Sequence, residues 1–281
     1  MAAPNITEER LREEGTPLSE RELEHVEERA RLRAPAIYEI VLREGEEELT
    51  RPIASLWWSG LAAGLSIGFS LVVQGLLEAH LPEAGWKPLV AKLGYAAGFV
   101  LVILGRQQLF TENTVTAVLP AIQERSRANT LHLARLWGVV LLANMAGAFL
   151  FAWALSSDLF FPPEAGQAFR KVARHFMELD AAQMFLRGIV AGWLIASLVW
   201  LMPSTRSSAF LVIVFVTYLI ALSESAHIVA GAVEAFLLFL AGETGVAKTF
   251  AGFFLPTLLG NVVGGSALFA LLAHAQVKEE V

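Results

Sequence analysis

Polar and ionisable side chains interrupt two long apolar segments of the chain, and they are the residues best placed to do chemistry. The first interruption runs from Arg106 to Thr114, and the second from Ser223 to His227. Polar groups at the depth of a lipid bilayer are costly unless they line a cavity or find partners. Interrupted apolar segments at corresponding positions of two halves are typical of transport sites. The two interruptions therefore predict one binding site for a small solute inside a membrane.

His227 is the residue of the second interruption with the widest chemistry. It lies well inside an apolar segment, whereas the other five histidines lie in the N-terminal tail or near predicted membrane edges. Histidine gains and loses a proton around neutral pH, and its neutral ring can donate a hydrogen bond to an anion. A histidine within a helix more often makes only a structural hydrogen bond. The place of His227, directly after a segment that frees backbone groups, favours a role in function.

An intramembrane hydrolase is a second interpretation of the same segment. Ser223 and His227 are four residues apart, a spacing that lets two side chains meet on a helix. However, no Gly-x-Ser-x-Gly motif surrounds Ser223, and no His-Glu-x-x-His motif offers a metal site. The sequence therefore predicts no enzyme, no metal site and no cofactor.

The composition places these residues in a membrane protein with a charged tail. Of the 281 residues, 55% are hydrophobic and only 17% are charged, which is few for a soluble protein. Residues 1–51 hold 14 of the 27 acidic and 8 of the 21 basic side chains, so the net charge of −6 comes from this part alone. We predict a charged cytoplasmic helical tail over residues 1–50 and a membrane pore domain over residues 51–281. The chain has no excess of basic residues, so its composition does not predict nucleic-acid binding.

The tail reads as helix. Ser19 has the position of an N-cap, and alternating Glu and Arg residues predict a helix over Glu20–Arg33. Pro35 is predicted to end that helix, and a second, short helix is predicted over Ala36–Arg43. A solvated or membrane-surface collar is the interpretation we favour, with partner binding as the alternative. Because the first 50 residues contain no apolar core, the first span is expected to act as its own insertion signal.

Six apolar segments are long enough to cross a bilayer, which requires about 20 residues. They are residues 54–79, 88–121, 132–156, 182–203, 208–240 and 250–274. The second and fifth contain the interruptions, and each is interpreted as two half-helices joined by a loop. An even number of spans places both termini on one side. Seven basic residues flank the spans there against five on the other side, which favours cytoplasmic termini in the inner (plasma) membrane, surrounded by lipid.

An internal repeat divides this all-α arrangement into halves. Residues 58–67 resemble residues 186–195, so that Gly64 aligns with Gly192, and Asn144 of the third span aligns with Asn261 of the sixth. Three spans per half is an odd number, which predicts two inverted three-helix repeats with the site at their interface. The glycines are interpreted as close helix contacts or as the lining of a pore, and the asparagines as groups that bond between helices.

Three motifs fall in order along the apolar segments. They are Leu109–Thr111 at the first interruption, His227–Ala230 at the second, and Leu258–Gly265 in the sixth segment. Together they resemble the formate/nitrite transporter family over about residues 50–275. The longer run from Gln107 to Pro120 resembles a branch of inner-membrane members without an assigned substrate. The resemblance implies an aquaporin-like fold, assembled as a homopentamer whose protomers each conduct small monovalent anions of weak acids, such as formate, nitrite or hydrosulfide.

Carried over by position, the resemblance also implies a set of pore residues: Leu109, Phe110, Thr111, Tyr95, Ile220 and His227. Thr111 is expected to lie near His227 and to bond to it. The first two residues of the set are expected to form one constriction together with the histidine. Tyr95 corresponds to an aromatic gate of the family, and Ile220 to its other apolar constriction.

The chain also departs from the family pattern. Gly231 stands where an Asn is usual, and Gly192 stands where an Asn is often found. Glu112 and Glu224 lie close to the implied anion path, where negative charge opposes the entry of an anion. Such acids must be paired, protonated or turned away, and Arg106 is the predicted partner of Glu112. Proton exchange with His227 is an alternative role for Glu224.

Basic side chains before the fourth span offer a way to attract anions. Lys171 and Arg174 could raise the local concentration of an anion at the mouth of a pore, although ordinary solvated loop charges are the interpretation we prefer.

Three functions remain open from the sequence. The first is a passive or proton-linked channel for a small weak-acid anion, acting through His227. The two acids in the interruptions support a channel for a neutral or cationic solute instead. The third is a sensor or scaffold in which the pore is closed and the acidic tail binds a partner.

Overall fold

The computed structural model describes residues 32–157 and 160–278, and all its regular elements within those ranges are helical. The α-helices, numbered in chain order, are α1 Ala34–Thr50, α2 Ile53–Ile67, α3 Phe69–His80, α4 Lys87–Leu93, α5 Ala96–Leu104, α6 Val118–Gln123, α7 Arg127–Leu155, α8 Pro163–Met177, α9 Ala181–Thr205, α10 Ala209–Leu222, α11 Ile228–Leu240, α12 Leu255–Val262 and α13 Leu271–Lys278. Short 3₁₀ helices lie at Glu112–Thr114 and Arg206–Ser208, and π-helical turns at Lys248–Phe254 and Val263–Ala270 flank α12.

Five helical stretches are long and apolar enough to cross a membrane. They are Ile53–His80, Lys87–Leu104, Arg127–Leu155, Ala181–Thr205 and Lys248–Lys278, and the shorter apolar helices α10 and α11 complete the set. In the predicted second and fifth segments, residues outside the α-helices separate consecutive helices. Residues 105–117, here called the first connection, join α5 to α6, and residues 223–227, the second connection, join α10 to α11. The first connection is longer than the predicted interruption, whereas the second coincides with it.

The short helix predicted over Ala36–Arg43 is longer in the structure, and the helix that Pro35 is predicted to end lies outside the described residues except at its last positions. Pro35 lies in the first turn of α1, where the missing N–H of proline costs nothing, and the helix continues to Thr50. The preceding helix predicted over Glu20–Arg33, with its cap Ser19, lies outside the described residues except at its end, where Arg33 is extended. Apolar side chains of α1 are buried against α6, α7, α9 and α13. This helix is therefore packed onto the membrane helices.

Two close helix pairs carry the core. Helix α2 packs along α7, and α9 packs along α12. A methyl group on Gly64 would lie 2.2 Å from the carbonyl oxygen of Asn144, and one on Gly192 would lie 2.3 Å from that of Asn261. Such distances are well inside van der Waals contact, so only glycine fits at either place. These two glycines act in close helix packing, as the first of the two sequence interpretations held.

Candidate functional site

Two buried asparagines hold the connections in place. Asn144 on α7 donates to the carbonyl oxygens of Gly60 and Gln108 and accepts from the N–H of Phe110. Asn261 on α12 does the same for a second set of atoms, the carbonyl oxygens of Gly188 and Ala226 and the N–H of Ile228. Both asparagines have no exposed surface. Each amide thus satisfies three backbone groups that lie away from water, where unpaired polar groups are costly.

The two connections meet at one side-chain contact. The hydroxyl oxygen of Thr111 lies 2.8 Å from Nε2 of His227, although the residues are 116 positions apart. His227 is the N-cap residue of α11, and its Nδ1 accepts from the backbone N–H of Ala230 at 3.2 Å. His227 is 1% exposed and Thr111 is fully buried.

These contacts assign the proton of the neutral imidazole. A backbone N–H only donates, so Nδ1 must accept and carries no proton. The ring proton is therefore on Nε2, which donates to the hydroxyl oxygen of Thr111. The hydroxyl hydrogen of Thr111 is then left to donate to another acceptor.

Apolar groups surround this contact. The ring of Phe99 packs edge-to-face on His227 at 5.0 Å between centroids, and Tyr95 packs on Phe99 at 5.2 Å. Leu109 and Ile220 are fully buried, and Phe110 packs on the Trp137 indole. Of the predicted pore residues, Tyr95, Ile220 and His227 line one cavity, whereas Leu109 and Phe110 are buried in the core around it.

The cavity has a volume of about 610 Å³ and leads from the protein surface to His227. Its inner end is formed by Tyr95, Ile220, Gly231 and His227. Its mouth is formed by the ends of α3 and α9, by α4 and by α8, the helix between α7 and α9. The charged and titratable side chains at the mouth are Glu78, Lys92, Lys171, His175, Glu178, Arg187 and Glu224. A polar mouth and an apolar inner end are typical of a site that takes a small polar solute.

Glu224 is bound to basic partners. Its carboxylate accepts from Lys92 at 3.3 Å, from Arg187 at 2.9 Å and from His175 at 3.2 Å. No contact with His227 accompanies these within the described part of the chain. The structure therefore favours the paired state of Glu224 over proton exchange with His227.

Glu224 and Arg106 also share an unusual backbone conformation. Among the described residues they are the non-glycine positions with positive φ, at 50° and 52°. The side chain of Arg106 is 83% exposed and, among the described residues, forms an ion pair with Glu44 at 3.8 Å, whereas Glu224 contacts three basic groups. Replacing each of the two residues with glycine therefore separates the effect of backbone strain on stability from the effect of the side-chain contacts.

We expect Arg106→Gly to leave thermal stability nearly unchanged. Relief of the left-handed conformation stabilises the folded state by about 1–2 kcal/mol, and the extra freedom of glycine in the unfolded chain offsets about 0.5–1 kcal/mol of this, so the net change is small. Glu224→Gly should lower the midpoint by at least about 2–4 °C, because three basic groups lose their shared counter-ion. Thermal unfolding in detergent, followed by tryptophan fluorescence, measures both. Equal shifts at the two sites would contradict the stabilising role of Glu224.

Other basic groups near the mouth are also neutralised. Lys171 donates to Glu78 at 2.8 Å, and Arg174 donates to Glu243 at 2.8 Å. The Arg174 guanidinium lowers the pKa of the Glu243 carboxyl below its usual range. Lys171 lines the cavity and Arg174 does not. Hence the basic attraction predicted for this pair is carried by Lys171 alone and is reduced by Glu78.

The predicted pairing of Arg106 with Glu112 was wrong. The guanidinium of Arg106 faces Glu44 of α1, so that the two groups lie on the outer surface of the first connection. Burial raises the pKa of Glu44 above its usual range, and Arg106 opposes that shift. The carboxyl group of Glu112 has no ion pair or hydrogen bond among the described residues. Sequence proximity alone does not reveal in which direction a side chain of the connection points.

Glu234 is a site residue that sequence reasoning missed. It lies on α11 seven residues after His227, hence two turns along the same helix face. It lines the cavity and is 6% exposed. An available signal was its isolation, since it is the single charged residue between Ile228 and Leu240. An ionisable residue in such a segment is a candidate for function by default.

Comparison with known proteins agrees with this arrangement. The family model described as formate/nitrite transporter matches residues 35–275. The chain belongs to the formate/nitrite transporter family. It is 43% identical over 261 residues to inner membrane protein YfdC of Escherichia coli (strain K12), covering 93% of this chain and 84% of that one. The predicted family is therefore confirmed.

More distant relatives share the fold. Formate channel FocA of Haemophilus influenzae (strain ATCC 51907 / DSM 11121 / KW20 / Rd) is 27% identical over 162 residues, which is 56% of each chain. A solved structure, a pentameric formate channel with formate bound, superposes with a TM-score of 0.68 at 19% identity, covering 81% of this chain and 98% of that one. The formate/nitrite transporter family consists of membrane channels and transporters, so this chain is a membrane channel or transporter and not a member of an enzyme family.

Two departures from the formate/nitrite transporter pattern have a physical reason. Gly192 packs against the backbone of Asn261, so no larger side chain fits there. A methyl group on Gly231 would lie 2.7 Å from the ring of Phe176 and 2.9 Å from that of Phe253. These aromatic rings fill the space that an asparagine at position 231 would need. Phe176 adds to the apolar wall of the cavity, and Phe253 is buried in the core.

Proposed function

We propose that this chain forms a channel for small monovalent anions of weak acids, such as formate or nitrite, passive or linked to a proton through His227. The observation that carries the proposal is the contact between the buried Thr111 and His227, which lines the inner end of the cavity. Apolar side chains around this contact exclude hydrated ions. An anion that has lost its water needs a hydrogen-bond donor there, and the free hydroxyl hydrogen of Thr111 supplies one. Membership of the family and the name of the FocA relative support the choice of formate.

The arrangement in the membrane is part of the proposal. We infer six spans in two inverted three-helix repeats, with the connections interrupting the second and fifth. The repeat is supported by Asn144 and Asn261, which make hydrogen bonds of the same kind. Each asparagine binds one connection and one neighbouring helix. An even number of spans puts both termini on one side, inferred to be the cytoplasm, and the cavity mouth on the other. The pentameric state of the structural relative supports a homopentamer surrounded by lipid.

Flux measurements on purified protein test the function. Proteoliposomes containing the chain should take up labelled formate or nitrite at least tenfold faster than empty vesicles, and should exclude chloride. The preference for weak-acid anions over chloride follows from the apolar inner end of the cavity. Chloride cannot take up a proton there, so it stays charged and is costly to desolvate. Flux equal to that of empty vesicles for every small weak-acid anion would overturn the proposal.

A second candidate is a channel for a neutral or cationic solute. The carboxyl groups of Glu112 and Glu234, without basic partners in the described residues, favour it. Methylammonium uptake in the same vesicles separates the two candidates. Uptake of formate without methylammonium supports the anion channel, and the reverse supports the cation channel.

The division into a tail of residues 1–50 and a pore domain of residues 51–281 also remains a proposal. Because α1 is packed onto the membrane helices, a deletion that tests the tail should stop at residue 31. A channel should retain its flux after this deletion, whereas a sensor that uses the tail should lose its partner.

A further inference from the structure

The cavity holds one acidic group whose charge no described residue balances. Glu234 is 6% exposed and faces the cavity between its mouth and His227. Its carboxyl group makes no hydrogen bond or ion pair with any described residue. By contrast, Glu78 and Glu224 at the mouth are each bound to basic side chains.

The described titratable groups on the surrounding helices do not balance the charge of Glu234. Helix α8 presents Lys171 and His175 to the cavity, and α4 and α9 present Lys92 and Arg187. These four groups are bound to Glu78 or Glu224. Three further titratable groups line the cavity: Glu178 after α8, Tyr95 before α5, and His227 at the start of α11, the helix that carries Glu234.

The remaining elements packed against α11 add no counter-ion. Helices α2, α7 and α12 contribute no ionisable side chain to the cavity lining. Lys248, at the start of the π-helical turn that contacts α11, donates to the carbonyl oxygen of Leu179. An ionised Glu234 would therefore be an uncompensated charge in a largely apolar wall, a state that a carboxyl group avoids by holding a proton.

We propose that Glu234 is a proton-binding site on the solute path, distinct from His227, and that an anion passes to His227 only while this carboxyl group is protonated. The proposal rests on the anion-channel function above. In the protonated state the acid O–H donates a hydrogen bond to the anion. After loss of the proton to water at the mouth, the carboxylate repels the anion through a low-dielectric space. The site thus links anion passage to the pH on the mouth side.

The test compares Glu234→Gln with Glu178→Gln in proteoliposomes. Glutamine is uncharged at every pH and imitates the protonated acid in shape. Glu178 is a matched control, because it lines the same cavity with a side chain that is 75% exposed. Formate is the probe, from pH 5 to pH 8 on the mouth side. The fraction of formic acid changes equally for all proteins, so the comparison uses the ratio of variant flux to wild-type flux.

For Glu234→Gln, this ratio should rise with pH, by about tenfold per pH unit once the wild-type site is ionised. For Glu178→Gln, it should stay constant. Glu234→Asp, which keeps the acid one carbon shorter, should retain a pH dependence with a shifted midpoint. If the glutamine variant does not fold, Glu234→Asp provides the test in its place. A pH-independent ratio for Glu234→Gln, or a rise that Glu178→Gln shares, would overturn the proposal.

A second readout does not depend on transport. Infrared difference spectra of the purified protein should contain the carbonyl band of a protonated carboxylic acid that titrates with pH. Glu234→Gln should lose that component, and Glu178→Gln should keep it. Identical spectra of Glu234→Gln and the wild-type protein would overturn the proposal. If wild-type protein moves neither formate nor nitrite, the proposed function fails, and these spectra still decide whether Glu234 binds the proton.

Discussion

Replacing His227 with phenylalanine is expected to lower the flux of a weak-acid anion by about 10- to 100-fold. The new ring can keep the edge-to-face contact with Phe99, so the space stays filled. The Nε2 donor to Thr111 and the cap on the N–H of Ala230 are lost. A polar solute left without a partner in an apolar space costs about 1–3 kcal/mol, and each 1.4 kcal/mol corresponds to a factor of about ten in rate.

Two comparisons make this result specific. His80→Phe is the same substitution on an exposed histidine at the end of α3 and should leave the flux unchanged. Thr111→Val should reduce flux as His227→Phe does, because it removes the hydroxyl group and keeps the side-chain shape, while Thr111→Ser should restore most of the flux. Wild-type flux in His227→Phe, measured in proteoliposomes at equal protein content, would exclude His227 as the polar contact of the pore.

Replacing Asn261 with leucine is expected to give the largest loss of stability. The substitution keeps the approximate volume but leaves the N–H of Ile228 and the carbonyl oxygen of Ala226 without partners, while the carbonyl oxygen of Gly188 keeps its bond within α9. Each unsatisfied buried group costs about 1–3 kcal/mol, so the loss from these two groups should be at least about 2 kcal/mol. Thermal unfolding in detergent and the yield of folded protein report it.

The asparagines elsewhere in the chain provide the controls. Asn144→Leu should cost a similar amount, since this residue makes the same three kinds of bond, two of them to the first connection. Asn129→Leu, near the solvent-exposed start of α7, should cost about 1 kcal/mol or less, as for a typical exposed hydrogen bond. A thermal midpoint unaffected by Asn261→Leu would show that the second connection does not need these bonds.

The sequence predicted the large elements of the fold because their signal is local. Apolar runs of about 20 residues predict helices by composition, and the second interruption, Ser223–His227, coincides with the second connection because a short polar stretch stands out against its surroundings. The first connection extends to residue 117, beyond the predicted Thr114, because its last residues, 115–117, carry no charge and read as helix. They are held in place by tertiary contacts, which a local pattern does not contain.

Side-chain partners were harder to predict than positions. Arg106 was assigned to Glu112 by proximity along the chain, but its backbone has positive φ and directs the side chain toward Glu44. The basic partners of Glu224 come from α4, α8 and α9, which are distant in sequence. Glu234 was overlooked because a single glutamate in an apolar helix gives no motif, although the cost of placing it there was a sufficient reason to note it.

The bonds made by Asn144 and Asn261 have a consequence for evolution. Every one of them ends on a main-chain atom, and all residue types carry the same main-chain groups. Residues of the connections that face the cavity can therefore be exchanged without loss of the bonds that shape the loops. Selection can change the cargo of such a protein by point substitutions, while the two amides preserve the architecture across sequences that have otherwise diverged.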